Sequence, residues 1–250
     1  MIVTACNIFD KAKDLLPHYF NHYAKMGVER FYFGIYGPPE THLWNEVREI
    51  GKGMDIQILP VQCNVGFDVG CDGDFKTKIS KMVEGWVIPT DLDEFHTIEG
   101  YTSFPTLCQD CETEGAEYVW SKIWDRTTKD WSIPPSIDPT VSIWEQFPRT
   151  CHLTNKVVQG YCRKLCMVKA GMDIEGGHHG IHGPFKPFSK EAVTYHFKWF
   201  GQLLEREKKK LEIYTKLDFK WRGENERLIK HLKEHGGKLI YDFPSKKVVG

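Results

Sequence analysis

No stretch of this sequence approaches the ~20 consecutive apolar residues that span a bilayer, so a membrane-spanning helix is not expected. Charge of one sign is also missing. Lys and Arg number 33 against 34 Asp and Glu, a net charge of -1, and a general nucleic-acid binder would carry a basic footprint instead. The start, Met1-Ile2-Val3-Thr4-Ala5-Cys6, lacks the basic n-region and long apolar h-region of a secretory signal. A cytoplasmic protein is therefore expected, with peripheral membrane contact left open. Internal repeats and low-complexity segments are absent. Eight cysteines are present but only one CxxC pair, Cys108–Cys111; Cys162 and Cys166 are spaced more widely, with His152 nearby. With no export signal, reduced thiols filling core and loop positions are expected ahead of disulfides or a structural zinc site.

What is present is enough apolar material for one sizeable core: 250 residues, 41% of them hydrophobic. Residues 2–8 read as a strand. Residues 10–26 read as an amphipathic helix, with Leu15, Leu16, Tyr19, Phe20, Tyr23 and Met26 at spacings of three and four. Asp10 suits its N-cap and Gly27 its C-terminal stop. Strand 30–36 closes on Gly37-Pro38-Pro39; helix 41–50 and strand 55–61 follow. This alternation predicts an α/β fold built on a parallel sheet. Residues 62–74 read as a Gly/Asp/Cys-rich loop, and 75–84 as a helix bearing Lys76, Lys78 and Lys81. Strands are predicted at 117–124, 164–168 and 194–199, with Asp125-Arg126 just past the first. Residues 176–183 form a glycine-rich loop carrying His178, His179 and His182. Residues 202–217 and 224–235 read as charged helices.

One stretch concentrates chemistry. The apolar run Trp86 to Ile88 ends abruptly in acids, Thr90-Asp91-Leu92-Asp93-Glu94-Phe95. A buried parallel strand looks like this where it leaves the core at its carboxyl end, which is where ligands sit in open α/β sheets. Asp91 and Asp93 are two residues apart, so in extended chain both point the same way and suit one divalent cation, Mg²⁺ or Mn²⁺, shared with substrate phosphates. An isolated Asp-x-Asp is more often a solvated turn; the preceding strand and the following Glu94-Phe95 lift this copy above that. Late in the chain four histidines, His178, His179, His182 and His196, fall within nineteen positions. His196 suits completion of a metal sphere with the two aspartates. The lysines of 75–84 suit a diphosphate, although an exposed helical face is the commoner use of such residues.

These blocks, taken together, resemble the GT-A glycosyltransferases, specifically small proteins of the family-2-like group. Trp86 to Phe95 resembles that family's W-x4-DxDEF block. Leu15-Leu16-Pro17-His18-Tyr19, Asp125-Arg126, Trp144-Glu145-Gln146-Phe147-Pro148, Gly177-His178-His179, His196-Phe197-Lys198-Trp199, Glu224 and His235-Gly236-Gly237 also match in order. The resemblance implies a GT-A (Rossmann-like), mostly parallel sheet flanked by helices over residues 1–200, with a helical C-terminal extension at 201–250. It implies transfer of a sugar from a nucleotide-diphosphate donor, UDP-sugar favoured, to a hydroxyl of a glycan or other acceptor, with inversion. It places Mn²⁺ or Mg²⁺ on Asp91, Asp93 and His196. Cys6 and Asn7 then fall near the nucleoside, and Lys78 and His179 near donor phosphate. Inversion needs a base for the acceptor proton; Asp125 and Glu145 are favoured over Asp173 and Glu175. Two rival classes are a metal-dependent phosphohydrolase, which needs no acceptor, and an inactive nucleotide-sugar or glycan-binding module, which binds donor without turnover.

Overall fold

The computed structural model describes residues 1–8, 14–36, 42–61 and 69–241. The expected cap at Asp10, the break at Gly37-Pro38-Pro39, residue Cys63 and most of the 62–74 loop lie outside the described residues. In chain order the elements are β1 (Ile2–Ile8), α1 (Leu16–Lys25), β2 (Arg30–Tyr36), α2 (His42–Ile50), β3 (Ile56–Val61), α3 (Val69–Met82), β4 (Trp86–Asp91) and β5 (Glu94–Thr97). Then come α4 (Phe104–Glu114), β6 (Tyr118–Thr127), α5 (Ile143–Gln146), β7 (Arg149–Cys151), β8 (Arg163–Lys169), β9 (Asp173–Ile174), β10 (Ile181–His182), β11 (Ala192–His196), α6 (Leu203–Lys216) and α7 (Arg222–Glu234). They fall into two compact units, Met1–Lys122 with Arg163–Thr194, and Ile123–Cys162 with Tyr195–Gly250.

In the first unit β1 is buried at all seven positions, as a parallel strand covered on both faces must be. It pairs in parallel with β2 and β4, and β2 pairs in parallel with β3. Beyond β4 the pairing turns antiparallel, through β8 to β6. The order is β3-β2-β1-β4-β8-β6-β11-β5, an α/β fold whose N-terminal half matches the expected parallel sheet. The chain winds outward from β1 to β3, then returns to lay β4 on the other side of β1. Such a reversal opens a crevice at the carboxyl ends of β1 and β4.

Helix α1 forms because Leu16, Tyr19, Phe20 and Tyr23 make one buried stripe. Pro17 sits in its first turn, where its missing N–H has no partner to lose. Gly27, at φ +88°, ends it. The stripe packs its rings on Phe31 and Phe33 of β2, with Phe20–Phe31 centroids 5.0 Å apart. Phe75 and Ile79 of α3, with Val83 just past its end, join Val3, Ala5, Val87, Leu165 and Val168 in a core cluster. Each of the larger side chains among them contributes about 1.5–3 kcal/mol on burial.

Four local expectations are corrected. Helix α3 begins at Val69, not Phe75. Glycines at 70 and 73 mimic a loop in the sequence, but tertiary packing uses the lack of a side chain at Gly73. Strand β6 continues to Thr127, so Asp125 and Arg126 lie within it. The glycine-rich 176–183 segment is held, as a short 3-10 turn (Gly176–His178) bridging the antiparallel pair β9 and β10. Strand β11 ends at His196.

In the second unit the end of β6 pairs with β7, Asp125 opposite Cys151. Helices α6 and α7, where the C-terminal extension was expected, pack on each other. Leu203 of α6 and Leu228 and Leu232 of α7 share a core with Cys151, Leu153, Val158 and Trp199.

Six described cysteines are free thiols: Cys6, Cys108, Cys111, Cys151, Cys162 and Cys166. Burial pushes the Cys108 and Cys111 thiols up to about 12, away from the thiolate that zinc requires. Cys71 is disulfide-bonded, which corrects the expectation of reduced cysteines throughout. Among the described residues no helix is long and apolar enough to cross a membrane.

Candidate functional site

The carboxyl ends of β1 and β4 hold a buried network of charges. Register puts Asn7 of β1 beside Gly34 of β2 and Asp91 of β4. A Cβ at Gly34 would stand 2.1 Å from Asn7 Oδ1, so glycine there makes room for the amide. Asn7 Nδ2 donates to Asp72 Oδ1 at 2.6 Å. Asp72 lies in the first turn of α3, and Lys76 is one turn later on the same face. The Lys76 ammonium donates to Asp72 Oδ2 at 2.9 Å, to Asp91 Oδ1 at 2.9 Å and to His178 Nδ1 at 2.8 Å. Lys164, on β8, donates to Asp91 Oδ2 at 2.8 Å and also pairs with Glu94. Glu94 Oε2 takes the other ring nitrogen of His178, 2.8 Å away, and the Asp91 backbone N–H at 3.3 Å. The Gly177 N–H closes the network on Asp72 Oδ2 at 3.0 Å.

The ionic groups follow from this wiring. Burial works against the charged form of Lys76, and the carboxylates of Asp72 and Asp91 reverse it, leaving the ammonium raised. Burial likewise works against Asp91, and the ammoniums of Lys164 and Lys76 outweigh it, holding the carboxyl well below its usual range. Burial, then the nearby Lys164 and Lys76, push His178 down to about 3. His178 is therefore neutral, with Nδ1 accepting from Lys76 and Nε2–H donating to Glu94. Three carboxylates face two ammoniums, and pairing is what makes such burial tolerable: an unpaired ion costs several kcal/mol. Only Asp91 opens outward, its side chain 37% exposed against 0% for Lys76, Glu94 and His178.

The 176–178 turn is built for this delivery. Gly177 has φ +70° and His178 φ +46°, a left-handed conformation unusual for histidine, costing about 1 kcal/mol or more and persisting where surroundings over-determine it. Lys76 and Glu94 do so here.

Of the residues expected from sequence, Asn7 and Asp91 belong to the network. Cys6 is buried beside them, its thiol raised by burial and by Asp91. His179 sits just outside, its Nδ1–H donating to the Arg163 carbonyl at 2.9 Å, and burial pushes it down to about 4. Asp93 lies half-buried in the turn between β4 and β5. Lys78 faces away, exposed, at a small cleft with Leu59, Pro60, Asp74 and Phe75. Sequence reasoning missed Asp72 and Lys164 and did not separate Lys76 from the exposed lysines of α3. Two signals were readable: the four-residue Asp72–Lys76 spacing, and a lysine beginning the otherwise apolar Lys164-Leu165-Cys166-Met167-Val168.

In the second unit Asp125 is wholly enclosed. Its Oδ2 accepts the Thr154 N–H at 2.7 Å; its Oδ1 accepts the Thr154 hydroxyl at 2.7 Å and Trp199 Nε1–H at 3.1 Å. His196 Nδ1 lies 3.4 Å from the same Oδ1. Burial raises the Asp125 carboxyl, and the hydrogen bond and charge of His196 bring it below its usual range. The carboxylate is thus built to hold neighbours in place. Glu145, on the short helix α5, is exposed.

Asp72, Asp91 and His178 offer donor atoms within 4.8 Å of one another, a spacing compatible with a metal ion. The fit fails as the side chains stand. The Lys76 ammonium touches all three, and both oxygens of Asp91 already lie on ammoniums.

No protein-family model matches the chain, and no curated protein matches it. Among solved structures it is similar to TarS 1-349 of S. aureus, at 9% identity and TM-score 0.43 over 93% of this chain and 72% of that one. It is similar to the mannosyltransferase PcManGT of Pyrobaculum calidifontis, solved with GDP-Man and Mn²⁺, at 10% identity and TM-score 0.41 over 91% and 69%. It is also similar to a 4-diphosphocytidyl-2C-methyl-D-erythritol synthase, at 10% identity and TM-score 0.37 over 68% and 75%. Likeness at this level fixes no activity.

Proposed function

We propose that the chain is a nucleotide-sugar-dependent transferase. The donor's nucleoside diphosphate lies at the carboxyl ends of β1 and β4, and its sugar passes to an acceptor hydroxyl with inversion; a UDP-sugar is the favoured donor. The observation that carries this reading is the charged network of Asn7, Asp72, Lys76, Asp91, Glu94, Lys164 and His178, buried where the strand order reverses, the usual ligand position in open α/β sheets. The resemblance of Trp86–Phe95 to a sugar-transferase block supports it. A network that buries four ionised side chains and leaves a fifth partly exposed is not needed to close a sheet, and apolar residues of similar volume serve stability as well or better.

Asp91 is the group offered to donor hydroxyls: its carboxylate is pinned by two ammoniums and still partly exposed. In the reaction the acceptor oxygen forms a bond to the anomeric carbon as that carbon's bond to the diphosphate breaks. The nucleoside diphosphate leaves with the bonding pair, and a base takes the hydroxyl proton. We assign that base to Glu145, and a positioning role toward His196 to Asp125. No step is routed through Asp93–Asp91 metal ligation, since Asp91 has no oxygen clear of an ammonium.

The test is nucleoside diphosphate release from a panel of UDP-, GDP- and dTDP-sugars, in Mn²⁺ and in EDTA, with donor binding followed by calorimetry. One donor should turn over slowly, and Asp91→Asn should weaken its binding by about tenfold or more. Failure to bind any nucleotide would remove the reading. Acceptor-independent cleavage of simple phosphate esters would replace it with the hydrolase.

A further inference from the structure

Asp72, Asp91 and His178 are arranged as metal ligands are, down to the groups that orient them. Asp72 is fixed by Asn7 Nδ2 and the Gly177 N–H, and Asp91 by Lys164. His178 presents Nδ1 inward while Nε2 is tied to Glu94, 2.8 Å away. A histidine whose second nitrogen is held by a carboxylate is the usual support for a metal-bound imidazole. Two carboxylates and an imidazole suit Mn²⁺ or Zn²⁺. Yet the centre of this set is taken by the Lys76 ammonium, at 2.9, 2.9 and 2.8 Å from the three donors. Metal–ligand bonds run ~2.0–2.2 Å, so the set stands some 0.7 Å wider on each side than an ion would draw it. It is sized for N–H···O and N–H···N hydrogen bonds.

We infer that the Lys76 side chain is the resident cation of this pocket, standing where a divalent ion would otherwise be held, and that the pocket takes no divalent ion while Lys76 is present. Lys76 reaches the pocket from within α3, one turn beyond Asp72, so the cation and one of its three ligands are fixed by the same helix. A tethered ammonium costs no association entropy and cannot be chelated. The pocket's neutralisation is therefore independent of metal supply. The inference stands apart from the transferase reading, because it concerns cation binding read without any donor.

The experiment is Mn²⁺ and Zn²⁺ titration of chelator-washed full-length protein by calorimetry, with thermal unfolding alongside, for the wild type, Lys76→Met and Lys76→Met/Asp72→Asn. Wild type should show no ion binding that Asp72→Asn or His178→Gln removes, and no change in Tm between Mn²⁺ and EDTA assignable to those residues. Lys76→Met, which keeps the length and drops the charge, should unfold at lower temperature in EDTA and regain much of the loss with Mn²⁺ or Zn²⁺. It should bind at least one of the two ions about tenfold or more tighter than wild type, and the double variant should lose this gain. Stoichiometric Mn²⁺ binding by wild type that Asp72→Asn abolishes would overturn the inference. So would a folded Lys76→Met with no ion-dependent gain. Should Lys76→Met fold only with metal present, the wild-type titration still decides on its own. Loss of nucleotide binding in every form would count against the transferase reading and leave this result unaffected.

Discussion

Gly73 and Gly176 meet backbone to backbone: a Cβ built on Gly73 would lie 2.8 Å from the Gly176 nitrogen and 3.0 Å from its Cα. This contact lets the 176–178 turn lie on α3 and brings His178 Nδ1 to Lys76. Gly73→Ala forces the two backbones apart, since neither obstructing atom belongs to a flexible side chain. Overpacking of this kind costs ~1–3 kcal/mol. Urea unfolding should show that loss against a gain expected from helix propensity alone, where alanine is favoured over glycine by about 1 kcal/mol. A Gly73→Ala protein as stable as wild type would show that the turn is not seated on α3.

Acid should weaken the first unit well above the range where carboxylates usually titrate. Burial holds His178 down at about 3, and His22 and His96 at about 4. An unfolded histidine titrates near 6.5, so between pH 6.5 and those values the unfolded chain binds more protons. Stability then rises with pH there, and falls as pH is lowered through it. Each such histidine contributes a slope on the order of 1 kcal/mol per pH unit. Urea midpoints from pH 7.5 to 4.5 should stay level above about 7 and decline below about 6.5. A flat profile down to pH 4.5 would show that these rings are not buried neutral.

Enclosure of Asp125 makes its own prediction. Asp125→Asn keeps the shape but replaces one acceptor oxygen with an NH₂ facing Thr154 or Trp199, both of which donate. Hydrogen bonds to a charged group contribute ~1.5–3 kcal/mol, so a loss of about 2–4 kcal/mol is expected. Thr154→Val, which removes one of the donors, should cost less. Urea unfolding followed by tryptophan fluorescence reads the loss, and Trp199, whose Nε1–H is bound to Asp125, contributes to that signal. An unaltered Asp125→Asn protein would mean that this carboxylate is not the anchor its contacts describe.

The parallel half of the sheet was legible because its signals are local. Buried β-strands alternate with amphipathic helices, and the abrupt end of β4 in acids marks a carboxyl edge. Asp91 could be named from that alone, and Asn7 from the family resemblance. Lys164 and Asp72 could not, because their roles depend on β8 returning antiparallel beside β4 and on a helix that starts inside glycine-rich sequence. His178 was visible as a residue type, but which of two adjacent histidines turns inward is decided by the φ of +46° at 178. Asp125 was expected just past a strand, but β6 runs two residues beyond it, and its side chain lies in the interior.

Glu145 separates a proposed catalytic role from a structural one. It is exposed on α5, so Glu145→Gln should leave the unfolding midpoint within about 0.5 kcal/mol of wild type. If it is the base, transfer should fall by 10²–10⁴, roughly, with donor binding unchanged. Full activity in Glu145→Gln would strip it of the assignment.

Removing Lys164 tests the electrostatic logic of the network from its other side. Lys164→Met leaves Asp91 with one ammonium instead of two and takes the ammonium from buried Glu94. Breaking a buried pair by deleting one partner costs ~3–5 kcal/mol, more than a large-to-similar swap would in an apolar core. The loss should be greatest near neutral pH. In wild type the depressed Asp91 carboxyl contributes stability that is present above its unfolded value near 4 and lost as pH falls below it. In Lys164→Met that contribution is already reduced, and protonation relieves the carboxylate repulsion. The gap between the two proteins should therefore narrow as pH falls below about 4, beyond the stability that both lose to histidine protonation at higher pH. A gap that stays constant with pH would mean that Lys164 acts through packing of its aliphatic stem and not through its charge.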